Sequence, residues 1–168
     1  MLLRRRLTEE QLNELTILVD AAQPPEGKDK EHIQRTVIGV LEDNRFKQGG
    51  TYCVALGVDN NQRLVEWLTN FTGYESKHIN SIHTVEYKEG SSTVSHYDVN
   101  VNRTLIFILQ KAEEGGQFIL ENELLDVEAG EVLDYDGSKM RHGVTTVTKG
   151  YRRVFVAWFN HKERGALI

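Results

Sequence analysis

The chain of 168 residues is 39% hydrophobic and 27% charged, which excludes a disordered chain and suits one ordinary domain burying roughly 70% of its unfolded surface. Its formal charge of −5 disfavours a duplex nucleic-acid binder, and no apolar run approaches the length of a membrane span. The single cysteine, Cys53, rules out an intrachain disulfide and suits a reducing cytosol, so a cytoplasmic protein is expected.

Met1 to Arg6 has no apolar stretch behind its arginines and does not read as a secretory signal. Thr8-Glu9-Glu10-Gln11 is a capping box with Leu7 as its staple, and Leu12, Leu15, Leu18 and Val19 follow at helical spacing, predicting a helix over 8–21. Pro24-Pro25-Glu26-Gly27 is a loop. Ile33, Val37, Val40 and Leu41 predict a second helix over 29–44, and Gly49-Gly50 is a break. A strand is expected over Tyr52–Val58, and Leu64, Trp67, Leu68 and Phe71 mark a third helix over 60–72, stopped at Gly73.

Beyond residue 80 the texture becomes that of short strands: Ile82–Lys88, Val94–Val101, Thr104–Gln110, Gln117–Leu120, Glu131–Tyr135, Val144–Thr148 and Tyr151–Asn160. Helices first and many short strands after them predict a β-sandwich or jelly roll with helices packed on one side. On that reading 1–168 is one domain, with 1–75 as mostly helical support and 80–161 as the jelly-roll core. Two strands are apolar on both parities. In Tyr151–Phe159, Arg152, Val154, Val156 and Trp158 share one face, while Arg153, Phe155, Ala157 and Phe159 share the other. Such a strand must line an interior on one face and be covered by the helices on the other.

His96-Tyr97-Asp98 is the strongest local feature. Residues two apart on a strand point to one face, so an imidazole and a carboxylate stand side by side while Tyr97 points away. His142 is the best third ligand. Two histidines and a carboxylate make the facial triad of non-haem Fe(II) oxygenases, and zinc tolerates the same set. The bland reading of H-x-D is a polar surface strand.

The remainder of the chain raises both signals. Tyr87-Lys88-Glu89-Gly90, His96-Tyr97-Asp98, Arg103 to Gln110, Gly115-Gly116-Gln117-Phe118, Gly130 to Tyr135, His142-Gly143-Val144, Val147, Gly150-Tyr151-Arg152 and Trp158-Phe159 occur in one order. From residue 82 to 160 this set resembles the Fe(II)- and 2-oxoglutarate-dependent dioxygenase superfamily, most closely its prolyl 4-hydroxylase-like branch. The resemblance implies a mainly β fold, a double-stranded β-helix (jelly roll) with N-terminal helices packed on one sheet. It implies Fe(II) held by His96, Asp98 and His142, 2-oxoglutarate as cosubstrate, O2, and ascorbate as a candidate reductant. Arg152 would anchor the distal carboxylate of 2-oxoglutarate, since a guanidinium fork binds carboxylate bidentately and stays charged. Tyr87 would line the same pocket and donate its hydroxyl; its bland reading, of equal weight, is a core tyrosine with a satisfied hydroxyl. Arg153 reads as a solvent or packing residue.

There are departures from the family pattern. Ile108-Leu109-Gln110 stands where the family ends its strand in Y-L-N, Val154 stands where some relatives carry serine, and Asp134 and Asp136 add charge beside the site. His32, His78 and His161 read as ordinary surface histidines and His83 as a hydrogen-bonded structural one. Cys53 reads as an inert core thiol and Trp67 as core.

The implied reaction is hydroxylation of an unactivated C–H bond with release of succinate and CO2. His142 follows Asp98 by 142 − 98 = 44 residues, with no room for a lid domain. Residues 89–95 are expected to be the only sizeable flexible loop beside the iron strand, and Pro24–Asp29 the other mobile segment. So open a site favours a prolyl or other residue on a protein or peptide substrate. A free amino acid or other small metabolite is the alternative. A nucleobase substrate is disfavoured by the acidic charge and the lack of a second spaced arginine. A zinc hydrolase has no use for an arginine facing the metal, and an inactive jelly-roll binding module would show a damaged triad.

Overall fold

The computed structural model describes residues 1–26 and 51–160. The expected helix over 29–44, the Gly49-Gly50 break, His32 and His161 lie outside the described residues. The strands in chain order are β1 (Leu3–Arg6), β2 (Tyr52–Leu56), β3 (Ile79–Tyr87), β4 (Thr93–His96), β5 (Arg103–Gln110), β6 (Glu114–Gly115), β7 (Phe118–Leu120), β8 (Glu123–Leu125), β9 (Glu131–Tyr135), β10 (His142–Val144), β11 (Val147–Lys149) and β12 (Arg152–Phe159). Helix α1 spans Glu9–Asp20 and α2 spans Gln62–Thr72.

Thr8 caps α1 as expected: its hydroxyl accepts from Gln11 N at 3.1 Å, and Gln11 Oε1 accepts from Thr8 N at 3.0 Å. Gly73 ends α2 at φ 76°, the left-handed conformation that glycine adopts without strain. Asn61 ties the helices together. Its side chain accepts from Gln23 N and donates to Gln23 O and Gly57 O, joining the end of α1 to the start of α2.

The strands form a six-stranded sheet in the order β1-β9-β5-β12-β3-β2, a four-stranded sheet β4-β10-β7-β8, and a two-stranded ribbon β11-β6, with antiparallel pairing throughout. The apolar strands β5 and β12 lie centrally in the large sheet. Their outer parity (Leu105, Phe107, Phe155, Ala157 and Phe159) packs in one core with Leu15, Val19, Leu64 and Leu68 of the helices. Their inner parity, Ile106, Ile108, Val154 and Val156, packs with Phe118, Leu120 and Val144 of the small sheet. This is the double-stranded β-helix expected, with its helices on one sheet.

Three expectations need correction. Strand β1 was not foreseen: Leu3-Arg4-Arg5-Arg6 pairs with β9 as an edge strand, and the pattern hides it because an edge strand can be almost wholly polar. The strand expected over Val94–Val101 ends at His96, where the backbone leaves the ladder and reaches φ 61° at Asn100. Residues 89–95 are not a free loop. Ser91 is fully buried, its hydroxyl accepts from Lys88 N, and its carbonyl accepts from Val147 N. Among the described residues, no helix is long and apolar enough to cross a membrane.

Candidate active site

His96 closes β4 and His142 opens β10, and the two are direct cross-strand partners with ring centroids 4.5 Å apart. The strands approach closely because Gly143 has no Cβ: one there would lie 2.7 Å from Thr93 O. Asp98 comes from the loop after β4 rather than from the strand itself. Its backbone N–H donates to Gly137 O at 2.9 Å, and this bond returns the carboxylate to the face His96 occupies. A Cβ on Gly137 would lie 2.2 Å from Asp98 Oδ2, so only glycine lets the two loops meet.

Asp98 divides its oxygens between two tasks. Oδ1 faces His96 Nε2 at 3.5 Å and His142 Nε2 at 3.4 Å. Oδ2 accepts from Thr104 Oγ1 at 2.7 Å and Trp158 Nε1 at 3.2 Å. Each imidazole Nδ1 lies against a carbonyl, Val94 O for His96 and Met140 O for His142. A carbonyl only accepts, so Nδ1 carries the hydrogen and the Nε2 lone pairs turn inward. Burial alone would push the Asp98 carboxyl up; the neighbouring His142 and His96 rings, with the bond donated by Thr104, outweigh it and hold the group well below the usual carboxylate range. The three donor atoms lie within 4.8 Å of one another and can hold one ion. Two ligands on bonds of about 2.1 Å stand about 3.0 Å apart at right angles and about 3.4 Å apart in a tetrahedron, so the 3.5 and 3.4 Å separations suit a shared metal.

These donors open onto a cavity of about 420 Å³ between the sheets, walled by Ile106, Val144, Val154 and Val156. Arg152 enters the same cavity and is 2% exposed. Among the described residues, the other buried arginine, Arg103, is paired with Asp134 on the outer face. Neither terminal nitrogen of Arg152 has a hydrogen-bond partner. Its guanidinium rests on the Tyr87 ring, 4.8 Å from the centroid, and burial lowers its pKa from the ordinary arginine value. Arg153 points the other way and bridges Asp20 and Glu86.

No family model matches the chain, and no curated protein matches it. Solved structures do. A viral collagen prolyl hydroxylase from Paramecium bursaria Chlorella virus-1, in its 2OG complex, aligns with a TM-score of 0.63 at 12% identity over 94% of each chain. A prolyl-4-hydroxylase from Pseudomonas putida aligns with a TM-score of 0.60 at 14% identity, covering 95% of this chain and 92% of its own. A Trichoplax adhaerens prolyl hydroxylase, in complex with a hypoxia inducible factor peptide fragment, aligns with a TM-score of 0.61 at 16% identity over 97% and 85%. The chain has the prolyl hydroxylase fold.

Within this prolyl hydroxylase fold, several residues differ from their sequence reading. Tyr87 lines the cavity and also has its hydroxyl satisfied, 2.8 Å from Thr93 Oγ1. Burial raises its pKa, opposed by Arg152 and by the Thr93 bond. His83 was expected to be hydrogen-bonded, yet its Nδ1 is buried without a partner, its ring meets Trp158 edge-on at 4.6 Å, and burial lowers its pKa to about 4. Asp134 and Asp136 do not line the cavity. Asp134 takes the outer parity, and Asp136 accepts from Ser138 N and Oγ in its own loop. Thr104 and Trp158 were missed as supports of Asp98. Their inward parity was readable, but the loop that brings Asp98 to them was not.

Proposed function

We propose that this chain is an Fe(II)- and 2-oxoglutarate-dependent hydroxylase acting on a prolyl or other residue of a protein or peptide in the cytoplasm. The observation that carries the reading is Arg152. A guanidinium buried without an acidic partner is costly, and this one shares a cavity with three metal-donor atoms. A dicarboxylate that reaches from an ion at His96, Asp98 and His142 to Arg152 satisfies both ends. A zinc hydrolase gives Arg152 no task.

Bound iron with 2-oxoglutarate and O2 supplies oxidative decarboxylation of the cosubstrate and hydroxylation of a C–H bond. The chain supplies placement. His96 and His142 would offer Nε2 from adjacent strands, and Thr104 and Trp158 hold Asp98 Oδ2, which leaves Oδ1, the oxygen that faces both imidazoles, as the one that would hold the ion. Arg152 pairs the far carboxylate on the face of Tyr87. Ile106, Val154 and Val156 keep water from this pair, which strengthens it.

A peptide substrate is supported by the mouth of the cavity. Tyr97 and Val99 line it and are 51% and 78% exposed, an apolar lip beside the donor atoms. With residues 89–95 pinned by Ser91, that segment offers no lid, and a macromolecular substrate would provide the cover itself. The deciding experiment is anaerobic addition of Fe(II) and 2-oxoglutarate to the protein. A weak metal-to-ligand charge-transfer band in the visible is expected; its absence at saturating concentrations overturns the reading.

A further inference from the structure

Most polar groups on the cavity wall are satisfied by the protein. Tyr87 is bonded to Thr93, and the hydroxyl of Thr104 and the indole of Trp158 to Asp98. Among the described residues, the buried exceptions on this wall are His83 Nδ1, the two terminal nitrogens of Arg152, and the hydroxyl of Tyr135. Tyr135 is the most enclosed of these, with no exposed surface at all. It takes the inner parity of β9 beside Leu133, and its Cα partner on β5 is Thr104. Its ring is held from two sides, edge-on to His142 at 5.0 Å and tilted on Phe118 at 5.6 Å. Held this way, the ring cannot carry its hydroxyl out to solvent. Tyr135 lines the same cavity as the ion donors and the guanidinium, and its hydroxyl lies within electrostatic reach of Asp98, Tyr87 and Arg152.

A buried hydroxyl without a partner disfavours the fold, and phenylalanine would fill the same space without that cost. A dicarboxylate bound between the ion donors and Arg152 would give this oxygen an acceptor, because the phenol lines the same cavity. We propose that the Tyr135 hydroxyl is a binding residue of this pocket, donating a hydrogen bond to the dicarboxylate that Arg152 pairs. The ligand is then anchored from two strands, β12 through the guanidinium and β9 through the phenol, on either side of β5. This inference rests on the reading of the pocket as a 2-oxoglutarate site.

The test is Tyr135→Phe, which removes one oxygen and keeps both ring contacts. 2-Oxoglutarate binding is followed by anaerobic titration of the Fe(II)-loaded protein, and thermal unfolding with and without 2-oxoglutarate is recorded beside it. Affinity for 2-oxoglutarate should fall about 10- to 100-fold, the range for a hydrogen bond to a charged group, while Fe(II) affinity stays as in the wild type. The unliganded variant should melt at or above the wild-type temperature, and its stabilisation by 2-oxoglutarate should shrink. A tyrosine with only a structural role would give the reverse pattern, a lower unliganded melting temperature with unchanged 2-oxoglutarate affinity, and that result overturns the inference. If the wild type takes up no 2-oxoglutarate, both this inference and the proposed function fall. Wild-type binding with equal affinity in Tyr135→Phe overturns this inference alone.

Discussion

At the scale of single residues, the ion donors hang on a frame that other side chains build. The apolar parity of β5, β9 and β12 makes the interior without help from His96 or His142. His96→Ala and His142→Ala should therefore abolish Fe(II) binding and 2-oxoglutarate turnover while circular dichroism and the unfolding midpoint change little. Full turnover in either variant would sink the ligand assignment. Asp98→Ala should keep a fraction of the iron, since two imidazoles remain. Arg152 and Arg153 give a sharper contrast because they are neighbours on opposite faces. Removing the inward guanidinium leaves a buried carboxylate unpaired, so 2-oxoglutarate affinity should fall by roughly two orders of magnitude in Arg152→Ala. Arg153→Ala breaks only the bridges to Asp20 and Glu86 at the sheet surface and should leave binding unchanged.

His83 gives a prediction in stability rather than binding. Its folded pKa is lowered to about 4 by burial, while an unfolded histidine titrates near 6.5. Between those values the unfolded chain holds the proton and the folded chain does not. The stability this group contributes is therefore present above about pH 6.5 and is lost as pH falls toward about 4. Between pH 7 and pH 5 the loss amounts to about 2 kcal/mol from this group. In urea unfolding at the two pH values, His83→Leu should lose less stability than the wild type by about that amount. Parallel losses in the two proteins would show that the imidazole takes its proton in the folded state.

At the scale of elements, β12 was the most legible strand, whereas β1 went unforeseen and β4 was expected to run too far. Both parities of β12 are apolar, so the sequence alone requires a covered face and a lined face, and the structure puts Phe155 and Phe159 under the helices and Val154 and Val156 inward. The choice of Arg152 over Arg153 was not legible from parity and came from the resemblance. For His96 and Asp98 the alternation argument reached the right neighbourhood by the wrong route, since the strand ends at His96 and a loop contact to Gly137 returns Asp98. Such contacts join segments far apart in the chain and leave no periodic trace, as do the Arg103–Asp134 pair and the Ser91 clamp. The tight approach of β4 and β10 is the element-scale feature open to test. In Gly143→Ala the new Cβ meets backbone atoms, Thr93 O at 2.7 Å and Ser95 N at 2.9 Å, so the strands must part and His96 must move from His142. Fe(II) affinity should drop at least tenfold in a protein that still folds, read by metal titration beside the far-ultraviolet spectrum. Unchanged affinity would mean that the donors tolerate a looser ladder.

At the scale of the whole molecule, the two faces of the large sheet divide the labour. The outer face is closed by α1 and α2 around Trp67, Phe71 and Phe107, whose rings stack or meet edge-on within 5.8 Å of one another. The inner face is left partly open, and the opening is where Asp98, Tyr97 and Val99 leave β4. Tyr97 and Val99 stand together at that opening and leave apolar surface there for a partner to cover. On the proposed reading the cover is the substrate chain, whose own apolar surface would exclude water from the donors. Free amino acids, proline included, offer less apolar surface to cover this lip than a peptide does. They should give slow 2-oxoglutarate consumption without matching product, and a proline-containing peptide or folded partner should raise the rate and couple it to hydroxylation. The paired change Tyr97→Ser with Val99→Ser should weaken that stimulation several-fold while leaving 2-oxoglutarate affinity untouched, because neither side chain lies on the path to Arg152. Succinate formed in step with hydroxylated free proline, with peptides inert, would overturn the docking role of the lip and make the small molecule the substrate.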